Sequence, residues 1–118
     1  TVLCDRHTDS TLAYQGYGGG LDVEWLDRLG RRAIRGLLPQ LTILLDVPTA
    51  LGFRRLRRGR DRMERKAAVF HRRVRAGYRH LARRNRGRIV VIDGSRAPGQ
   101  IHAQLQTVIL NRLQRRRS

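Results

Sequence analysis

Three apolar runs punctuate the chain: Val2-Leu3-Cys4, Leu41-Thr42-Ile43-Leu44-Leu45 and Ile89-Val90-Val91-Ile92. Their apolar residues are continuous rather than alternating, the pattern of strands buried on both faces of a parallel sheet. Helical periodicity fills the intervals. Over residues 22–38, Val23, Leu26, Leu29, Ala33 and Leu37 recur at i, i+3/i+4 spacing until Pro39 closes the segment. Pro48 opens a second helix, where its missing N–H costs nothing, and Leu51 and Phe53 follow. Over residues 64–85, Phe70, Val74, Tyr78 and Leu81 share one face, while Arg72, Arg75, Arg79 and Arg83 are expected to point elsewhere. A last helix after Pro98 carries Ile101, Leu105, Val108, Ile109 and Leu113, with a frayed tail expected at Arg115-Arg116-Arg117-Ser118. Strands alternating with helices predict one α/β domain over residues 1–118 with parallel pairing, three strands and about five helices.

Each run ends in an aspartate: Asp5, Asp46 and Asp93. In an open α/β sheet the ligand crevice lies beyond the carboxyl ends of the strands, so these acids fall where chemistry is expected. Strand termination and local capping alone would also account for Asp46 and Asp93. Composition adds a partner class. The 26 basic residues against 9 acidic ones give a net charge of +17, and Lys66 is the single lysine. Such a charge calls for polyanions: nucleic acid, an anionic membrane or phosphorylated small molecules. Biased codon usage also enriches arginine, so part of the excess reads as solvated surface. Cys4, the only cysteine, excludes a disulfide framework and is expected as a buried structural thiol. No apolar run is long enough to cross a bilayer, and the composition is that expected of a cytoplasmic protein.

The sequence Asp5-Arg6-His7-Thr8-Asp9-Ser10-Thr11-Leu12-Ala13-Tyr14-Gln15-Gly16 resembles the D-R-[YH]-x-x-S-[ST]-x-A-Y-Q-G signature of bacterial thymidylate kinases. The resemblance continues in order through Leu41 to Pro48, through Arg58-Gly59-Arg60-Asp61-Arg62-Met63-Glu64, and through Phe70-His71-Arg72-Arg73-Val74-Arg75 with Tyr78. Ile92-Asp93-Gly94-Ser95 completes it. It implies a three-layer P-loop kinase fold with a parallel sheet, of which this chain is expected to be the C-terminal portion. It also implies phosphoryl transfer from ATP to dTMP, with Mg²⁺, in an enzyme that is usually a homodimer.

Arginine at a strand end can offer a planar fork of donors to phosphate, so Arg6 is placed as a phosphate clamp. By resemblance the phosphate is that of dTMP, and Asp5 either orients the guanidinium or meets Mg²⁺ through water. An Asp5–Arg6 ion pair of purely structural value is the alternative. Thr11, Tyr14 and Gln15 stand at i, i+3, i+4 and so share one α-helical face. By themselves they read as an amphipathic helix with Tyr14 in the core. The resemblance implies that Thr11 and Gln15 bond the thymine edge and that Tyr14 packs under the deoxyribose, disfavouring a 2′-hydroxyl. His7, His71, His80 and His102 receive no catalytic role. Arg54, Arg55, Arg57, Arg58, Arg60, Arg62 and Arg65 crowd a segment that fits a lid over roughly residues 54–66. Arg58 and Arg62, with Arg73 from the next helix, are the candidates for stabilising the transferring phosphoryl group, and Asp93, Gly94 and Ser95 for bordering the adenine of ATP.

Two positions depart from the family pattern: Gly19 replaces a common arginine, and Gln40 a common aspartate. The larger departure is that no G-x-x-x-x-G-K-[ST] occurs, so nothing in these residues cradles the β- and γ-phosphates. The strand bearing that loop in the family lies between those matching Val2–Cys4 and Leu41–Leu45. The chain alone is therefore expected neither to transfer phosphate nor to fold stably. Two other readings compete. A basic nucleic-acid-binding module explains the charge but lacks stacking aromatics and a recognised motif. A related monophosphate kinase with another base preference is disfavoured by Tyr14-Gln15.

Overall fold

The computed structural model describes residues 1–56 and 62–117, with the backbone alone for residues 62–64. Helix α1 is a single turn, Thr8–Thr11, that runs directly into a π-helical segment, Leu12–Gly18. Helix α2 (Val23–Ala33) follows, then strand β1 (Thr42–Asp46), helix α3 (Thr49–Leu56), helix α4 (Arg62–Arg84), strand β2 (Ile89–Asp93) and helix α5 (Pro98–Arg117).

The two strands pair in parallel, Thr42 against Ile89 through Asp46 against Asp93. This register sets the two terminal aspartates side by side at the carboxyl ends. The sheet is an α/β arrangement, as expected, but it has two strands among the described residues rather than three. Residues 2–4 form no strand. No described strand lies beside them to complete a ladder, and Val2 and Leu3 stand 92% and 93% exposed. Cys4 is likewise exposed rather than buried, its thiol donating to the Arg6 carbonyl at 3.0 Å.

Helix α2 begins where Asp22 caps it, Oδ1 accepting from the amides of Glu24 at 2.9 Å and Trp25 at 3.2 Å. It ends well before Pro39. Arg35 and Gly36 both turn left-handed, with φ 51° and 74°, and the Gly36 amide closes back on Arg31 at 2.9 Å. Of its apolar stripe, Leu26 is buried and Val23 half-buried, whereas Leu29 and Leu37 are exposed.

The core gathers Leu12, Leu26, Leu81, Ala82 and Ile89, flanked by Tyr17, Val23 and Leu44. Helix α4 crosses the π-helical segment closely because two glycines stand at the crossing. A Cβ at Gly77 would lie 2.6 Å from the Tyr17 side chain, and one at Gly18 would lie 2.7 Å from the Phe70 ring. Arg75 does not point away with the other arginines of α4: it is half-buried and forks onto Asp46, Nε–Oδ1 2.8 Å and Nη2–Oδ2 3.1 Å. Of the tail expected to fray, Arg115, Arg116 and Arg117 are helical, and Ser118 lies outside the described residues. Arg112 donates to the carbonyls of Gly87 at 2.8 Å and Gln40 at 3.2 Å, and Arg116 to Gln40 Oε1 at 2.6 Å.

Candidate functional site

The signature segment runs from an exposed approach into the molecule. Arg6 holds a left-handed backbone, φ 66°, which is uncommon outside glycine. That geometry lays its guanidinium over the Tyr14 ring, 5.0 Å from the centroid, with Nη2 3.4 Å from the Tyr14 hydroxyl. Asp5 is exposed and forms no ion pair with Arg6 among the described contacts, so the purely structural alternative finds no support.

Tyr14 is half-buried at the wall of an open cleft of about 450 Å³. Leu44, Asp46, Val47, Phe53, His71 and Tyr78 are among the other residues lining it. The rings stand mostly edge-on: Tyr14 to Tyr78 at 6.2 Å and 84°, Tyr14 to His71 at 6.4 Å and 87°, Phe53 to His71 at 5.7 Å and 75°. Tyr78 shares a hydrogen bond with Ser10 at 2.7 Å. Burial pushes the Tyr78 phenol above its ordinary pKa, with the neighbouring Tyr14 adding to the shift; the Ser10 hydrogen bond and Arg6 pull the other way.

Thr11, the last residue of α1, and Gln15, beside Tyr14 in the π-helical segment, are both exposed. The α-helical spacing that placed all three on one face does not apply there. The bonding widens to i→i+5, as in Gly19 N to Tyr14 O at 2.9 Å, so the i+3 and i+4 positions are rotated from their α-helical places. Such widened turns recur at functional sites.

A second cleft, about 590 Å³, lies between α3 and α5 and is lined by Arg55, Gly94, Arg96, Pro98, Ile101 and His102, with Leu105. Asp93 ends β2 and caps the turn after it, accepting from the Ser95 amide at 2.9 Å and from the Ser95 hydroxyl. The side-chain bond from Ser95, then its amide, hold the exposed Asp93 carboxyl below its ordinary pKa. Gly94 is buried because Val47 closes over it: a Cβ there would lie 2.6 Å from Val47. Arg55 reaches across from α3 and donates to the carbonyls of Gly94 at 3.0 Å and Ser95 at 3.5 Å.

Arg58 lies outside the described residues, and Arg62 opens α4 with only its backbone described. Arg73 is exposed on α4 and does not line the first cleft, where Arg75 and Arg55 do. Sequence reasoning missed the tie from Ser10 to Tyr78 and the pair between Asp9 and Arg88. The latter joins residues 79 positions apart, so no local spacing announces it. The available signal was scarcity: with 9 acids among 26 bases, an aspartate inside the signature had many possible partners but had to have one if buried.

Among the described residues, no group of three histidine, cysteine or carboxylate side chains could hold a metal ion. A single carboxylate such as Asp5 is nonetheless the kind of donor Mg²⁺ takes from protein when water and substrate phosphates fill its other positions.

Asp46, with the Arg75 fork, and Asp93 stand at the carboxyl ends of two parallel strands, the end at which open α/β proteins form their ligand crevice. Comparison with known proteins narrows this class. The thymidylate kinase family profile matches residues 1–105. The chain is 47% identical over 112 residues to a thymidylate kinase of Synechococcus sp. (strain JA-2-3B'a(2-13)), covering 95% of this chain and 54% of the relative. It is 51% identical over 104 residues to that of Pelotomaculum thermopropionicum, covering 86% and 48% respectively. The crystal structure of thymidylate kinase from Ehrlichia chaffeensis superposes with a TM-score of 0.62 at 33% identity, over 90% of this chain and 46% of that one. The chain belongs to the thymidylate kinase family, and it spans about half the length of the curated relatives it matches.

Proposed function

We propose that this chain supplies the dTMP-binding and lid portion of a kinase that transfers a phosphoryl group from ATP to dTMP, giving dTDP. The observation that carries the reading is Arg6 held over Tyr14 beside an aromatic cleft. A strained backbone at one arginine, aimed by a tyrosine at the open end of a parallel sheet, suits a clamp on the 5′-phosphate. Tyr14 then lies under the sugar, where its bulk disfavours a 2′-hydroxyl. Thr11 and Gln15, both exposed, are free to bond the thymine edge.

Phosphoryl transfer asks the protein chiefly to position the reactants and to stabilise charge on the transferring oxygens. Arg58 and Arg62 from the lid and Arg73 from α4 are assigned that stabilising role, with the turn Asp93-Gly94-Ser95 and Arg55 bordering the base of ATP beside the second cleft. Asp5 would carry a water-bridged Mg²⁺, which neutralises phosphate charge when bound. No phosphate-cradling G-x-x-x-x-G-K-[ST] occurs in the 118 residues, so the chain by itself is expected to show no turnover. In the intact enzyme we place this portion in a cytoplasmic homodimer.

Titration of the chain with dTMP and dUMP, followed by the Tyr14 ring resonances, tests the assignment. Binding should favour dTMP, and Gln15→Ala should erase the preference while leaving phosphate-dependent binding in place. Equal affinity for both nucleotides in the parent chain, or an unchanged preference in Gln15→Ala, would count against it.

A further inference from the structure

Asp9 is the buried charged residue of the described core, 6% exposed, and the proposed reaction makes no use of it. Its carboxylate receives a two-pronged bond from Arg88, Nη1–Oδ2 2.6 Å and Nη2–Oδ1 2.9 Å. Arg88 is itself fixed. Its Nη1 also donates to Thr42 Oγ1 at 3.1 Å, its carbonyl accepts from the Thr42 amide at 2.9 Å, and its own amide donates to Asn85 at 2.9 Å. The anchor therefore stands on the first residue of β1 and the turn leading into β2.

The amino end of the segment attached to that anchor has little local support. Helix α1 has four residues, its N-cap His7 makes no side-chain capping bond, and Arg6 before it is left-handed. Its carboxyl end continues into the π-helical segment, whose first residues Leu12 and Ala13 are buried. The amino end, from which Arg6 leaves, is tied from outside: by the Ser10–Tyr78 bond on one side and the Asp9–Arg88 pair on the other. Asp9 sits between Arg6 and Tyr14 in the chain.

We propose that Asp9 is a positioning residue: its paired bonds to Arg88 pin α1 to the amino end of the sheet and thereby set where Arg6 and Tyr14 stand. The inference rests on the reading of Arg6 and Tyr14 as the dTMP clamp, but its first test needs no nucleotide. Arg6 lies over the Tyr14 ring, so its Nε–H resonance carries a ring-current shift that reports the stacking directly.

In the 118-residue chain, Asp9→Asn and Arg88→Gln should both move that resonance toward the value of an unstructured arginine. The Ile92 methyl signals and the Nε–H of Arg75, which is paired with Asp46, should stay in place. Arg88→Lys keeps the charge but loses the fork, and should give an intermediate shift. Titration with dTMP should then weaken several-fold in the same order. An unmoved Arg6 signal in both Asp9→Asn and Arg88→Gln overturns the proposal, as does a parent chain whose Arg6 signal already sits at the value of an unstructured arginine. So does loss of the Ile92 and Arg75 signals in all three variants, which would make the pair a support of the whole fold. If Arg6 responds as expected but the parent chain takes up no dTMP, positioning stands and the substrate reading falls.

Discussion

Tyr78 shows how one side chain can serve both packing and the site. Its ring faces Tyr14 edge-on at 6.2 Å, and its hydroxyl ties to Ser10 at 2.7 Å. Because burial raises its pKa in the folded chain, the folded state holds the phenolic proton more tightly than the unfolded one. The associated stability is therefore fully present below the unfolded tyrosine value of about 10 and is lost as pH rises through the higher folded value. Phenolate absorbance should show Tyr78 titrating above the ordinary tyrosine value, and the denaturation midpoint should fall over the same alkaline range. Tyr78→Phe should remove that pH dependence and cost about 0.5–1.5 kcal/mol at neutral pH, the net worth of one hydrogen bond. A Tyr78→Phe chain with the parent's alkaline profile would assign the effect to another group.

At the level of elements, the decisive contact is the crossing of α4 over the π-helical segment. Both partners need a missing side chain there: Gly77 faces Tyr17 and Gly18 faces Phe70 and Val74. Gly77→Ala should gain helix propensity but force Tyr17 aside, for a net loss of about 1–3 kcal/mol by thermal or denaturant unfolding, the usual cost of overpacking. A more stable Gly77→Ala chain would mean that Tyr17 repacks freely. This crossing also marks where the sequence was readable and where it was not. The stripe Phe70, Val74, Tyr78 and Leu81 was legible because α4 keeps an α-helical period over its full length. The continuous runs 41–45 and 89–92 were legible as strands, but the burial on both faces that their continuity implied is not met: Leu45 stands 50% and Val91 45% exposed. The face of Thr11, Tyr14 and Gln15 was read with an α-helical period, whereas Tyr14 and Gln15 lie in the π-helical segment, whose period left no mark in the hydrophobic pattern. Residues 2–4 have strand character in sequence, yet strand formation requires a neighbour, and none lies beside them among the described residues. The roles of Arg6 and Tyr14 came from a motif, whereas the Asp9, Arg75 and Arg88 pairs depend on distances that only a folded chain defines.

For the molecule as a whole, the charge of +17 suits polyanions of several classes, and the sharpest contest is between nucleotides and nucleic acids. The described ion pairs engage Arg31, Arg75, Arg88 and Arg96, so the remaining arginines far outnumber the carboxylates available to them. Such a surface attracts any polyanion, and salt dependence separates attraction from recognition. Nucleic acid held by many phosphate contacts releases a counterion at each, so raising salt from about 50 to 200 mM should cut that binding by roughly 10³-fold or more. Capture of one nucleotide phosphate by Arg6, against a tyrosine and beside an apolar cleft, engages few charges and should weaken far less over the same range. Parallel titrations with a random-sequence duplex and with dTMP, at both salt concentrations, measure the two slopes directly. A steep duplex slope beside a shallow dTMP slope is the outcome the kinase reading requires. A duplex affinity that persists at high salt and varies with sequence would instead make nucleic acid the partner that the arginines serve.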